Sequence, residues 1–99
     1  MKLQTQSIHF DADKRLLDFV QKKLDKLETF FDKIIDGEVF LRLENSDDKG
    51  NKLVHVKLNL PGLSIISKEH GASFEEAVDL AYESLKRQLM KQKEKMTTF

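Results

Sequence analysis

Two stretches near the middle of the chain alternate with a period of two, and this restricts the fold more than any other feature. From Glu38 to Glu44, Val39, Leu41 and Leu43 fall on one side of an extended chain, with Glu38, Phe40, Arg42 and Glu44 on the other. From Lys52 to Leu60, Val54, Val56, Leu58 and Leu60 share one side, opposite Leu53, His55, Lys57 and Asn59. Successive side chains of a strand point to opposite faces, so each run predicts a strand with one face buried and one turned outward. The polar stretch Asn45 to Asn51 separates them. Pro61-Gly62 then supplies a turn before a third run, Leu63 to Lys68, which carries Ile65 and Ile66. Strands joined in succession by turns favour an antiparallel meander with a single apolar face to be covered.

Helices on either side of this block provide the cover. Asp11 or Asp13 offers an N-cap for a pattern in which Leu16, Leu17, Val20, Leu24, Leu27 and Phe31 recur at three- and four-residue spacing. That helix ends near Phe30 or Phe31, and Asp36-Gly37 reads as a turn. Ser73-Phe74-Glu75-Glu76 has the form of a capping box and opens a second helix running to Lys95. Lys2 to Phe10 alternates imperfectly, contains Thr5 and Ile8, and predicts a short first strand. The expected fold is α+β: a β-α-β-β-β-α two-layer sandwich, with a four-stranded sheet and both helices on one face. At 99 residues and 39% hydrophobic composition, residues 1–99 form one domain around one core, with 96–99 fraying.

The absence of cysteine excludes disulfides, thiolate zinc sites and a cysteine nucleophile, and fits a reducing compartment. Met1-Lys2 is followed by polar alternation instead of an apolar leader, and the apolar runs are far shorter than the roughly 20 residues that span a bilayer. A soluble cytoplasmic protein without a membrane partner is expected. His9, His55 and His70 lie in separate strands or turns without metal-ligand spacing, and Asp47-Asp48 lacks the ligand alternation of a calcium loop. Ser84 has no evident histidine partner, Ser73 serves better as a cap, and the four glycines form no phosphate loop. No catalytic residue, metal or cofactor is nominated, and an enzyme is not expected.

Charge is informative only in its arrangement, because 17 basic and 17 acidic residues cancel. On the first helix Arg15, Lys22, Lys26 and Lys33 form one stripe, and Asp18, Asp25, Glu28 and Asp32 another, flanking the apolar face. The second helix opens with Glu75, Glu76 and Asp79 and closes with Lys86, Arg87, Lys91, Lys93 and Lys95. Arg87, Lys91 and Lys95 follow one another at four-residue spacing along one side, with Lys86 and Lys93 on another. The helix dipole favours cations in a last turn by about 0.3–1 kcal/mol each, but does not require five over nearly three turns. A charged helix face is often no more than a solvated one, so the second helix is the stronger candidate for binding a polyanion. Phe30, Phe31, Phe40, Phe74 and Tyr82 could stack on bases, yet Phe31, Phe74 and Tyr82 lie near apolar helix faces and Phe40 on a strand face. They read as packing residues, which leaves a grip on structured RNA to basic helices and the RNA backbone.

Two segments carry a family resemblance. They are Phe19-Val20-Gln21-Lys22-Lys23-Leu24-Asp25-Lys26-Leu27-Glu28-Thr29-Phe30-Phe31-Asp32-Lys33-Ile34 and the second helix from Glu76 to Lys95, where Ala77-Val78-Asp79 is followed by Leu85-Lys86-Arg87-Gln88-Leu89-Met90-Lys91-Gln92-Lys93. This pattern resembles the hibernation promoting factor and ribosome-associated inhibitor A family of bacterial ribosome-binding proteins. The resemblance implies a fold similar to double-stranded RNA-binding domains with an added first strand, docked on the small ribosomal subunit where messenger and transfer RNA would sit. It implies translational silencing in slow growth or stationary phase by occlusion, without chemistry on a substrate. Carried onto matching positions, Lys22, Lys23, Lys26, Arg87, Lys91, Lys93 and Lys95, with Lys86 beside them, would contact ribosomal RNA phosphates. Ala72-Ser73-Phe74 departs from the acidic residue many relatives carry before the second helix. A chain ending at Phe99 corresponds to a short form, expected to be monomeric in isolation and to rely on a separate factor for ribosome dimerisation. The competing expectations are a general double-stranded RNA module and a protein-interaction domain using the outer sheet face around Phe40, Leu53 and His55.

Overall fold

The computed structural model describes residues 1–44 and 50–97, with side chains through Lys95. The polar turn expected from Asn45 to Asn51, with Asp47-Asp48, lies for the most part outside the described residues, as does the end of the tail expected to fray. The elements are β1 (Leu3–Ile8), α1 (Lys14–Asp25) continued by a 3-10 turn (Lys26–Thr29), β2 (Asp36–Leu43), β3 (Lys52–Leu60), β4 (Leu63–Gly71) and α2 (Phe74–Thr97). The expected α+β order is present. One four-stranded sheet runs β1-β2-β3-β4. β2, β3 and β4 form the antiparallel meander, with Val39 opposite Val56 and Val56 opposite Ser67. β1 pairs with β2 in parallel, from Leu3 with Gly37 to Ile8 with Arg42. Parallel neighbours need a crossover, and α1 supplies it.

Period-two alternation puts Val39, Leu41, Val54, Val56, Leu58 and Ile65 on one buried face. Leu16, Val20, Leu24 and Leu27 from the first helical segment, and Ala77, Val78, Ala81, Leu85 and Leu89 from α2, join them in a single core. At about 25 cal/mol per Å² of apolar surface removed from water, this shared core is the main stabilising term of so small a domain.

Both helix starts follow their expected capping chemistry. Asp13 Oδ1 accepts the Leu16 amide at 2.9 Å, and Ser73 Oγ accepts the Glu76 amide at 3.1 Å. The loop after β1 is pinned to the start of α2 by Phe10, whose ring stacks on Phe74 at 4.6 Å between centroids.

Five expectations are corrected. Asp36-Gly37 is not a turn but the first two residues of β2. A Cβ at Gly37 would lie 2.7 Å from Leu3 Cδ2 and 2.7 Å from Leu58 Cδ2, so the glycine serves close strand packing. The first helix leaves α geometry at Asp25 and tightens, with the Phe30 and Phe31 amides both donating to Leu27 O at 3.0 and 3.1 Å. Leu17, counted on its apolar face, is exposed. Finally, β1 stops at Ile8 because His9 takes φ 70°, in the left-handed region, while β4 runs past Lys68 to Gly71 because β3 still pairs with it there.

The outer sheet face bears no helix. Phe40 and His55 lie on it side by side, their rings 5.7 Å apart and tilted by 42°. Asn59 Nδ2 donates to Asp36 Oδ1 at 2.6 Å, and Ser64 Oγ donates to Asn59 Oδ1 at 2.8 Å. No described helix is long and apolar enough to cross a membrane.

Candidate nucleic-acid interface

α2 has 24 residues and is therefore about 36 Å long. Among the residues with described side chains its last buried position is Leu89, and Met90, Lys91, Lys93, Glu94 and Lys95 are all exposed. The molecule is accordingly drawn out to 50 × 24 × 19 Å. The cationic end of α2 falls in turns that, among the residues with described side chains, bury no apolar residue after Leu89.

Contacts between the helices decide which flank of each faces the other. Lys23 Nζ lies 3.2 Å from Asp79 Oδ1 and 4.7 Å from the centre of the Tyr82 ring. Lys86 Nζ stands 4.6 Å from the centre of the Phe30 ring. These two lysines are half-buried, and each ties the first helical segment to α2. At 100° per residue, the turn that aims Lys23 at α2 brings Lys26, Arg15 and Lys22 to the solvent side of the same flank. The acids fall on the opposite flank. There the Met1 α-ammonium bonds Asp25 Oδ1 at 3.0 Å and also Glu28. Those two carboxylates, Glu28 foremost, raise its pKa above the ordinary value. The segregation read from the helical projection thus has a tertiary counterpart, with the basic flank turned toward α2.

Of the eight cations named from the sequence, Lys22, Lys26, Arg87, Lys91, Lys93 and Lys95 are exposed. Lys23 and Lys86 are brought to the seam between the helices. Lys93 shares the α1-facing side of α2 with Lys86, whereas Arg87, Lys91 and Lys95 turn progressively away, about 40° per four-residue step. Arg15 and Lys33, both exposed, extend the basic flank on the α1 side. Sequence reasoning named Asp79 in the acidic opening and the motif of the second helix, but not as the carboxylate that orients Lys23, nor did it foresee the seating of Lys86 on Phe30. The signal in each case is a charged residue one helical turn from the apolar stripe, which cannot be told from a solvated one before the helices are packed.

Gln88, central to the motif of the second helix, has a different placement. Its Nε2 donates to Ile66 O at 3.0 Å and to Ser84 Oγ at 3.3 Å. It covers a backbone acceptor of β4, an edge strand, and so limits strand addition by another chain. Among the described residues no group of three or more metal-ligating side chains occurs.

Fold and surface together define a class: a small four-stranded α+β domain whose helical layer carries most of the exposed cations among the described residues. Residues 3–97 match the Sigma 54 modulation protein / S30EA ribosomal protein family, and the chain belongs to it. It is 37% identical over 81 residues to the ribosome hibernation promotion factor of Bacillus subtilis, covering 82% of this chain and 42% of that protein. It is 30% identical over 95 residues to the ribosome hibernation promoting factor of Pseudomonas putida, covering 96% of this chain and 89% of that one. The chain thus spans less than half the length of the first relative and nearly all of the second. A ribosomal subunit interface protein from Coxiella burnetii has the same fold, with a TM-score of 0.83, 26% identity and coverage of 94% of this chain and 98% of that one.

Proposed function

We propose that the protein is a ribosome-binding hibernation factor that occupies the messenger and transfer RNA region of the small subunit in slow growth or stress. The observation that carries this reading is the two-helix basic layer, formed when α1 turns its cationic flank toward α2, in a chain of this family. Lys22, Lys26, Arg87, Lys91, Lys93 and Lys95 contact ribosomal RNA phosphates directly, with Arg15 and Lys33 extending the field. Lys23 and Lys86 hold the two helices at the spacing that presents the others. Silencing is steric, with no substrate transformed. Residues 1–99 act as a ribosome-binding domain in the cytoplasm.

Co-sedimentation with purified small subunits tests this. Charge reversal at Arg87, Lys91 and Lys95 together should weaken binding sharply while leaving the circular dichroism spectrum unchanged; binding at wild-type affinity would overturn the assignment. If these six cations each neutralise one phosphate, log affinity should fall against log salt with a slope of roughly −4 to −5.5. Equal affinity for free duplex RNA would point instead to a general double-stranded RNA module.

A further inference from the structure

Beside the basic layer, where the 3-10 turn and the following loop approach the end of α2, lies an open cleft of about 420 Å³. Its walls include Glu28, Thr29, Phe30, Asp32 and Lys33, and Lys93 closes it from α2. The cleft falls within the range of small-ligand sites, about 300–1,000 Å³.

Four features of the lining fix the kind of ligand. Phe30 is half-buried and contributes an aromatic ring, with the Lys86 ammonium 4.6 Å from its centre. Lys33 and Lys93 put a cation on either side. Thr29 donates its hydroxyl hydrogen to Lys26 O at 2.7 Å, leaving its oxygen as an acceptor. Asp32 is an exposed carboxylate at the lip, whereas Glu28 is engaged by the Met1 ammonium. A carboxylate repels phosphates, which have no proton to donate to it. Base edges do, through the exocyclic amino groups of adenine, cytosine and guanine, whereas the one edge N–H of uracil lies between two carbonyl oxygens that a carboxylate repels. An aromatic ring, flanking cations and an acceptor together match one whole nucleotide better than a bare phosphate. Sequence-specific recognition of RNA uses bases splayed from the stack and laid against such rings.

We propose that this cleft takes a single unstacked nucleobase bearing an exocyclic amino group, seated on Phe30. Its amino edge is directed to Asp32 and its phosphate to Lys33 and Lys93. The proposal rests on the RNA-binding reading above and adds to it a base-selective contact within an otherwise phosphate-directed surface.

The test separates the two. Amide chemical shifts of the isolated protein are followed on addition of GMP, CMP, UMP or ribose 5-phosphate. GMP and CMP should shift Thr29, Phe30, Asp32 and Lys93, UMP less, and ribose 5-phosphate should leave Phe30 unmoved. In parallel, Phe30→Leu should weaken small-subunit binding by about 5- to 150-fold, the effect of losing one base–aromatic stack, with its salt slope unchanged. Reversal of Arg87, Lys91 and Lys95 should instead flatten that slope. If Phe30→Leu does not fold, Asp32→Asn decides, since it should bring GMP and CMP down to the level of UMP. Wild-type binding to subunits that is indifferent to Phe30→Leu and Asp32→Asn, without base-dependent shifts, overturns the cleft assignment and leaves the ribosome reading standing. Base-dependent shifts without any subunit binding would do the reverse.

Discussion

Gly37 shows how a single residue can be set by contacts that are distant in sequence. Asp36-Gly37 has the composition of a turn, and only the pairing of β2 with both β1 and β3 makes it a strand entry. Because a Cβ there meets Leu3 and the fully buried Leu58, Gly37→Ala is expected to lose about 1–3 kcal/mol of stability in urea unfolding. Ser67 presents the opposite case. It is buried on the core face of β4, and its Oγ finds no partner among the described residues. Ser67→Ala should therefore gain about 1 kcal/mol in the same measurement. His55 links stability to pH. Burial, and then the charge of Lys68, lower its pKa in the folded state. The unfolded chain then binds the extra proton first, so stability is lost as pH falls through about 6.5, the ordinary histidine value. His55→Phe should remove that loss, and its stability relative to wild type should rise between pH 7 and pH 5.

At the level of elements, the helix starts were legible because capping is local. Asp13 and Ser73 sit within three residues of the amides they satisfy. Ser73→Ala is expected to cost about 1 kcal/mol, read as a lower urea midpoint with an unchanged m-value. The strands were legible for a similar reason, since alternation is a property of neighbouring residues. The ends of the elements were less so. β4 continues to Gly71 because β3 keeps pairing with it, and the first helix tightens where Leu27 and Phe31 must both enter the core. The roles of individual lysines also emerge only when the helices meet. Lys86→Gln should lose the contact with the Phe30 ring and destabilise by about 0.5–1 kcal/mol. Lys91→Gln, at an exposed position, should leave thermal unfolding within experimental scatter and weaken ribosome binding.

For the whole molecule, zero net charge conceals a polar distribution of charge, and ionic strength is the variable that reveals it. Reversing Arg87, Lys91 and Lys95 should reduce the magnitude of the salt slope for small-subunit binding by roughly 2 to 3 if each meets one phosphate. The sequence by itself determined the α+β order, the buried face of the sheet, the caps, the separate basic and acidic stripes of the first helix and the acidic-to-basic run of the second. All of these follow from spacing along the chain, where side-chain direction repeats every two or 3.6 residues. Tertiary structure decided the parallel placement of β1, the close approach at Gly37, and the covering of β4 by Gln88. It also divided the cations, committing Lys23 and Lys86 to the seam between the helices and leaving the others at the surface. Those outcomes depend on which elements become neighbours, and that is settled by how one shared core is buried.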